Sequence, residues 1–219
     1  MTPEASVNHN KLIATAAKQA LAPLGLKRAG KSRLWYDDRG WWCIIVEFQP
    51  SSWSKGTYLN VGASFLLFER AHWGFHVGHR EQGFSPVRRE QQFNDALAAI
   101  TAHAVDRVQH YREKFATVRN ANLYYQSTEL RSHWDYYHAG VFALLDGNSA
   151  TARKCFDLLF SQTRPYGWQK GLYYRAMDLS RIMENRTWSL ESIAGVVLRT
   201  RDQLLLEDRD SHQLGLPMC

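Results

Sequence analysis

The sequence predicts an α+β protein: an N-terminal helix, a three- or four-stranded antiparallel sheet and a long helix, followed by an array of α-helical hairpins. Three observations carry this. Between Leu34 and Phe68 aromatic and β-branched residues concentrate, and apolar side chains alternate with a period of two. Before that tract, Leu12, Ile13, Ala16, Ala17, Ala20 and Leu21 recur at spacings of three and four. After Pro86 the period returns to that of a helix: Phe93, Leu97, Ile100, Ala104, Val108, Tyr111, Phe115 and Val118 fall on one stripe.

Each element follows in order. The first helix covers about 9–22, with Asn8 or Asn10 as cap, and Pro23 and Gly25 stop it. Strand one spans about 32–37. Asp38-Arg39-Gly40 is a turn, because Asp and Gly tolerate the backbone angles of a tight reversal. Strand two runs 41–49. Trp42, Ile44, Val46 and Phe48 share the face expected to meet the core, and Trp41, Cys43, Ile45, Glu47 and Gln49 share a face expected to stay free. Pro50 ends its pairing. Strand three covers 57–67, and a weak fourth lies near 73–79. One long helix is expected over 89–119.

From Ser132 onward four shorter helices are expected: 133–145, opened by a Ser132/Asp135 capping box, 149–161, 168–185 and 189–206, the last capped by Ser189. The spacing of Ala139, Phe142, Gly147, Ala152, Phe156 and Pro165 loosely resembles one tetratricopeptide unit, without a second copy. The expected organisation is a sheet domain over 1–120, a helical region over 121–209 and a flexible tail over 210–219.

At 219 residues and 45% apolar content the chain can bury a real core, and a disordered class is excluded. Cys43, Cys155 and Cys219 are odd in number and widely spaced, which is neither a disulfide framework nor a zinc knuckle. No apolar run approaches the ~20 residues that cross a bilayer, and the N-terminus lacks a signal-peptide pattern. A cytoplasmic protein without membrane partners is expected. The +6 net charge is uneven: residues 1–90 hold 12 Lys/Arg against 7 Asp/Glu, whereas 91–219 hold 15 against 14. Part of the excess is the cluster Lys27, Arg28, Lys31 and Arg33, of a kind that attracts polyanions or acidic protein surfaces.

The stretch from Leu21 to Phe65 carries Leu-x-Pro-Leu-Gly-Leu-Lys-Arg at the end of the first helix. An aromatic strand follows, then a strand ending in Gln49 and Ser51-Ser52-Trp53, then Tyr58-Leu59-Asn60-Val61-Gly62. In this order the chain, over residues 10–120, resembles the bacterial domain-of-unknown-function family 4304. The resemblance implies a bacterial protein and supplies no catalytic residues.

Four chemistries bear on these residues. His72, His76 and His79 lie within eight residues, but their segment holds two glycines and no HExxH pattern, so no metal is assigned. Asp37 or Asp38 followed by Glu47-Phe48-Gln49 resembles the strand layout of a metal-dependent nuclease, with Gln49 where a Lys belongs. Cys43 is a packed thiol rather than a nucleophile. Aromatic residues interleaved with basic ones, namely Arg33, Trp35, Trp41, Trp53 and Tyr58, form the candidate binding surface. The expected function is that of a non-enzymatic binding protein without a cofactor, an accessory or immunity-type factor with a protein partner. The alternative is nucleic-acid binding, with or without metal-dependent cleavage.

Overall fold

The computed structural model describes residues 8–51, 56–86, 90–162 and 166–217. Its described residues form seven α-helices and a five-stranded sheet, the α+β class expected. They cluster into two compact units whose segments alternate along the chain. The first comprises Met1–Asp38, Cys43–Ser64 and Val77–Arg112; the second comprises Arg39–Trp42, Phe65–His76 and Glu113–Cys219.

In the first unit, α1 (His9–Leu21) buries Ile13, Ala17 and Leu21, one residue per turn, and Asn8 caps it by accepting from the Lys11 amide at 3.2 Å. A 3-10 turn, Ala22–Leu24, carries Pro23, and Gly25 at φ 86° reverses the chain in the left-handed region. The strands follow as β1 (Lys27–Arg28), β2 (Leu34–Asp38), β3 (Trp42–Pro50), β4 (Gly56–Phe65) and β5 (Val77–Pro86), and they are neighbours in sequence order. β1 pairs antiparallel with β2 through Lys27–Tyr36 and Arg28–Trp35, and β2 pairs with β3 through Trp35–Val46 and Asp37–Ile44. The expected turn is present, with Gly40 at φ 86°. β5 starts at Val77, after most of the segment expected as a strand near 73–79, and its polar Arg80-Glu81-Gln82 centre gave no apolar alternation to detect. Its pairing with β4, through two register shifts, decides its conformation.

The free face expected on strand β3 is corrected. Cys43 and Ile45 are as fully buried as Trp42, Ile44 and Val46, and only Glu47 and Gln49 on that side are part-exposed. A strand that buries both faces reads as a continuous apolar run, and Trp41–Val46 is one.

The long helix is two helices. α2 (Glu90–Lys114) ends before Thr117, whose extended backbone (φ −136°, ψ 160°) and hydroxyl, accepting from the Asn120 amide at 3.1 Å, cap α3 (Val118–Ser127). The apolar stripe continues across the break because Phe115 and Val118 are both buried.

In the second unit, α4 (His133–Leu145) opens with the expected capping box. α5 (Ser149–Phe160), α6 (Gln169–Ile182) and α7 (Arg186–Gln203) follow, each packed on the one before. A Cβ at Gly140 would lie 2.4 Å from the Phe156 ring, so glycine sets the close approach of α4 and α5. α7 is capped by Asn185 rather than Ser189, which lies inside the helix and donates to the Ile182 and Asn185 carbonyls. In the segment expected as a flexible tail, Asp210 and Gln213 form a capping box on a 3-10 turn, Ser211–Leu214. Leu214 is buried, and its carbonyl accepts from the Trp41 amide at 3.0 Å. Among the described residues no helix is long and apolar enough to cross a membrane.

Candidate functional site

Between Asn8 and Tyr36 the sequence holds six Lys or Arg residues and no Asp or Glu. The fold of the first unit gathers all six. α1 carries Lys11 and Lys18, seven residues apart and so on the same face two turns along. The 3-10 turn and Gly25 lead back into β1 with Lys27 and Arg28, and the connection to β2 adds Lys31 and Arg33.

The result is a groove of about 1030 Å³ between α1 and β1–β2. It is lined by the apolar Ala14, Ala22, Pro23 and Trp35 together with Lys11, Lys18, Lys27 and Arg28, and by Thr15 and Gln19; of the apolar set Trp35 is buried and Ala22 and Pro23 are exposed. A smaller cleft of about 140 Å³ shares Ala14, Arg28 and Trp35 with it and adds Asn10, Ile13, Ala17, Lys31, Arg33 and Phe48. Among the described residues, no carboxylate lines either.

The arginines are positioned by neutral acceptors. Arg28 donates from Nε to the Ser32 carbonyl (2.5 Å) and from Nη2 to the Lys31 carbonyl (2.8 Å). Arg33 donates from Nη2 to Asn10 Oδ1, while its Nη1 is buried without a hydrogen-bond partner. Partial burial and then the charge of Arg28 pull the Arg33 pKa below its ordinary value. Among the described residues, no ion pair involves Lys11, Lys18, Arg28, Lys31 or Arg33. Cations held together in this way make a standing positive potential, which an anionic ligand relieves.

The turn and the strand that supply Pro23 and Trp35 to the groove are anchored within the same unit through their neighbours Leu24 and Asp37. Arg112 on α2 donates from Nε to Asp37 Oδ2 (2.8 Å) and from Nη2 to the Leu24 carbonyl (2.6 Å). Asp37 is 7% exposed. This clamp ties the 3-10 turn to β2 and α2.

Of the residues proposed from sequence, Arg33 and Trp35 belong to this site. Trp35 is 7% exposed and contributes an edge rather than a free ring. Trp41 is corrected: it is 2% exposed in the second unit, against Phe65 (5.8 Å, stacked) and Phe142 (5.3 Å, edge-on), so it offers no binding surface. Trp53 lies outside the described residues. Tyr58 lies on the opposite side of the sheet from Trp35, beneath Arg80 (3.8 Å from the guanidinium carbon) and beside Phe84 (5.1 Å). On that side Asn60 Nδ2 donates to Glu47 Oε2 (2.9 Å) and Gln49 Oε1 (3.0 Å), and Arg80 Nη2 donates to the same Gln49 oxygen (2.8 Å).

The nuclease-like residues do not converge. Asp37 pairs with Ile44, so it shares the face opposite Glu47 and is held by Arg112. Asp38 pairs with Cys43, four residues from Glu47, or ~13 Å along the strand. No group of three metal-binding side chains occurs among the described residues. His72 is exposed, and His76 has its Nε2 buried. His79 lies in β5, and its side chain is outside the described residues.

The sequence reading missed Lys11 and Lys18. The signal was available in the acid-free run of residues 8–36, but helical periodicity drew attention only to the apolar face of α1. In comparisons with family models, curated proteins and solved structures, nothing matches the chain.

Proposed function

We propose that this chain is a non-enzymatic protein-interaction factor that takes an acidic, partly apolar segment of a partner protein into the groove between α1 and β1–β2. The supporting observation is a groove whose lining joins the cations Lys11, Lys18, Lys27 and Arg28, without a carboxylate, to the apolar Ala14, Ala22, Pro23 and Trp35. Acidic side chains of the segment neutralise the cations and its small apolar residues cover the apolar lining. An accessory or immunity-type factor, which masks an acidic patch on its target, works this way.

Nucleic acid shares the need for cations but adds a need for exposed aromatic planes when single-stranded. Here Trp35 and Trp41 are buried and Tyr58 is roofed by Arg80. The Leu21–Arg28 turn that resembles family 4304 itself supplies Ala22, Pro23, Lys27 and Arg28 to the groove, so membership of that family belongs to the same proposal.

The test is a fluorescence-anisotropy titration of the full chain with a labelled helical peptide bearing Glu on its flanks and Leu or Ala on its contact face. Oligothymidylate and an all-Glu peptide are the comparators. Saturable binding of the amphipathic peptide, tighter than either comparator, is the expected result. Equal or tighter binding of oligothymidylate, or no binding of the peptide, overturns the reading.

A further inference from the structure

We propose that His76 and His138 form an acid-sensitive latch in the second unit: protonating His76 breaks its bond to the Phe65 amide and frees the 66–76 connection from α4. The Phe65 N–H donates to His76 Nδ1 at 2.8 Å. An imidazolium carries hydrogen on both nitrogens and has no lone pair to accept with, so this bond exists only for the neutral ring protonated at Nε2. The bond joins the last residue of β4 to the residue before β5, and so closes the connection between them.

The surroundings admit no second charge. The His76 ring lies 4.3 Å from His138, 4.9 Å from Trp134 and 5.6 Å from Phe65, against which it stacks. His138 is 0% exposed, and neither of its ring nitrogens has a hydrogen-bond partner; nor has the buried Nε2 of His76. The rings around them are apolar or phenolic, including Tyr125 of α3 and Tyr137 of α4. The charged and titratable groups facing the pair are Arg70 and His72 from the connection; Asp135 of α4 acts on Tyr125. Among the described residues no carboxylate pairs with either histidine.

Burial, then His138, Arg70 and His72, hold His76 well below the ordinary histidine range; burial and then Arg70 do the same for His138. While the latch is closed neither histidine takes a proton, whereas once the connection opens, or the chain unfolds, both do so near pH 6.5, so acid draws the latch toward its open state. Stability from this source is therefore fully present above that pH and falls as the pH drops below it. The connection is otherwise tied to α4 by the Tyr137 hydroxyl, which donates to the Leu67 carbonyl at 2.8 Å, and by Phe68 against Trp134.

The experiment is urea unfolding of the full chain at pH 7.5 and 5.5. On lowering the pH over that interval the two histidines together raise the unfolding constant by up to about 100-fold, and His138→Phe removes up to about 10-fold of that rise. An unchanged pH dependence in His138→Phe overturns the latch. Should that variant fail to fold, nitrogen-15 NMR of the unaltered protein decides. An unprotonated His76 Nδ1 at pH 7.5, with selective loss of Phe65 amide protection at pH 5.5, supports the latch. A protonated Nδ1, or undiminished protection, refutes it.

Discussion

The groove of the first unit and the histidine cluster of the second are built from the same kinds of residue, cations and aromatic rings, with opposite outcomes. In the groove, Lys11, Lys18, Lys27, Arg28 and Lys31 are exposed, and among the described residues no carboxylate lines it. In the cluster, His76 and His138 sit among Phe65, Trp134 and Phe142 rings and stay uncharged. Water solvates the first set, so its charge persists and remains available to a ligand. Apolar burial removes the charge of the second and fixes one protonation state. A charge therefore serves recognition only where the fold leaves it hydrated, and a count of basic residues does not distinguish the two cases.

The largest effect comes from moving one charge between them. His138→Lys places a cation where no counter-charge exists and should cost about 3–5 kcal/mol in urea unfolding, or prevent folding. The same added charge in the groove, Thr15→Lys, should leave stability within about 0.5 kcal/mol and tighten the acidic peptide. If the two substitutions cost the same, the contrast fails.

Next is the clamp that shapes the groove. Arg112→Ala leaves the buried Asp37 carboxylate unpaired and releases the Leu24 carbonyl, and should destabilise by about 2 kcal/mol. Peptide affinity should fall with it, which calorimetry at a temperature well below the transition can separate from unfolding.

Salt sharpens the comparison further. Raising sodium chloride from about 0.1 M to 1 M shortens the screening length from ~10 Å to ~3 Å. Peptide binding should weaken about 10-fold or more, while the pH dependence ascribed to His138, which is buried, and to His76, which is part-exposed with its Nε2 buried, should change less, because buried groups are screened little. The smallest effect belongs to Lys11→Gln in the groove, expected to weaken the peptide about two- to three-fold, near the value of one exposed charge pair.

Much of the fold was legible because its elements announce themselves locally. The period-two tract, the Asp38–Gly40 turn, the Ser132/Asp135 cap and the helix patterns of α1 and α4 to α6 need only neighbouring residues to be read. What was illegible depends on distant partners. β5 is polar and owes its conformation to β4. The break at Thr117 looks like a continuous stripe because both sides of it are buried. Asn185 precedes Ser189 as cap, though both are capping types. At the site, Arg33 and Trp35 were found through the basic-aromatic pattern. Trp41 matched that pattern equally well but points into Phe65 and Phe142, a distinction set by packing between residues far apart in the chain. His138 carries no local signal, because its partner, His76, lies sixty-two positions away in sequence.

The most direct test of the groove's role is a charge swap. Lys18→Glu, Lys27→Glu and Arg28→Glu together turn the groove acidic and leave its apolar lining intact, and circular dichroism confirms the fold. The account predicts that this variant loses the Glu-flanked peptide and gains the same peptide with Lys on its flanks. Retention of the acidic peptide by the swapped groove, or failure of a folded variant to bind the basic one, would contradict it.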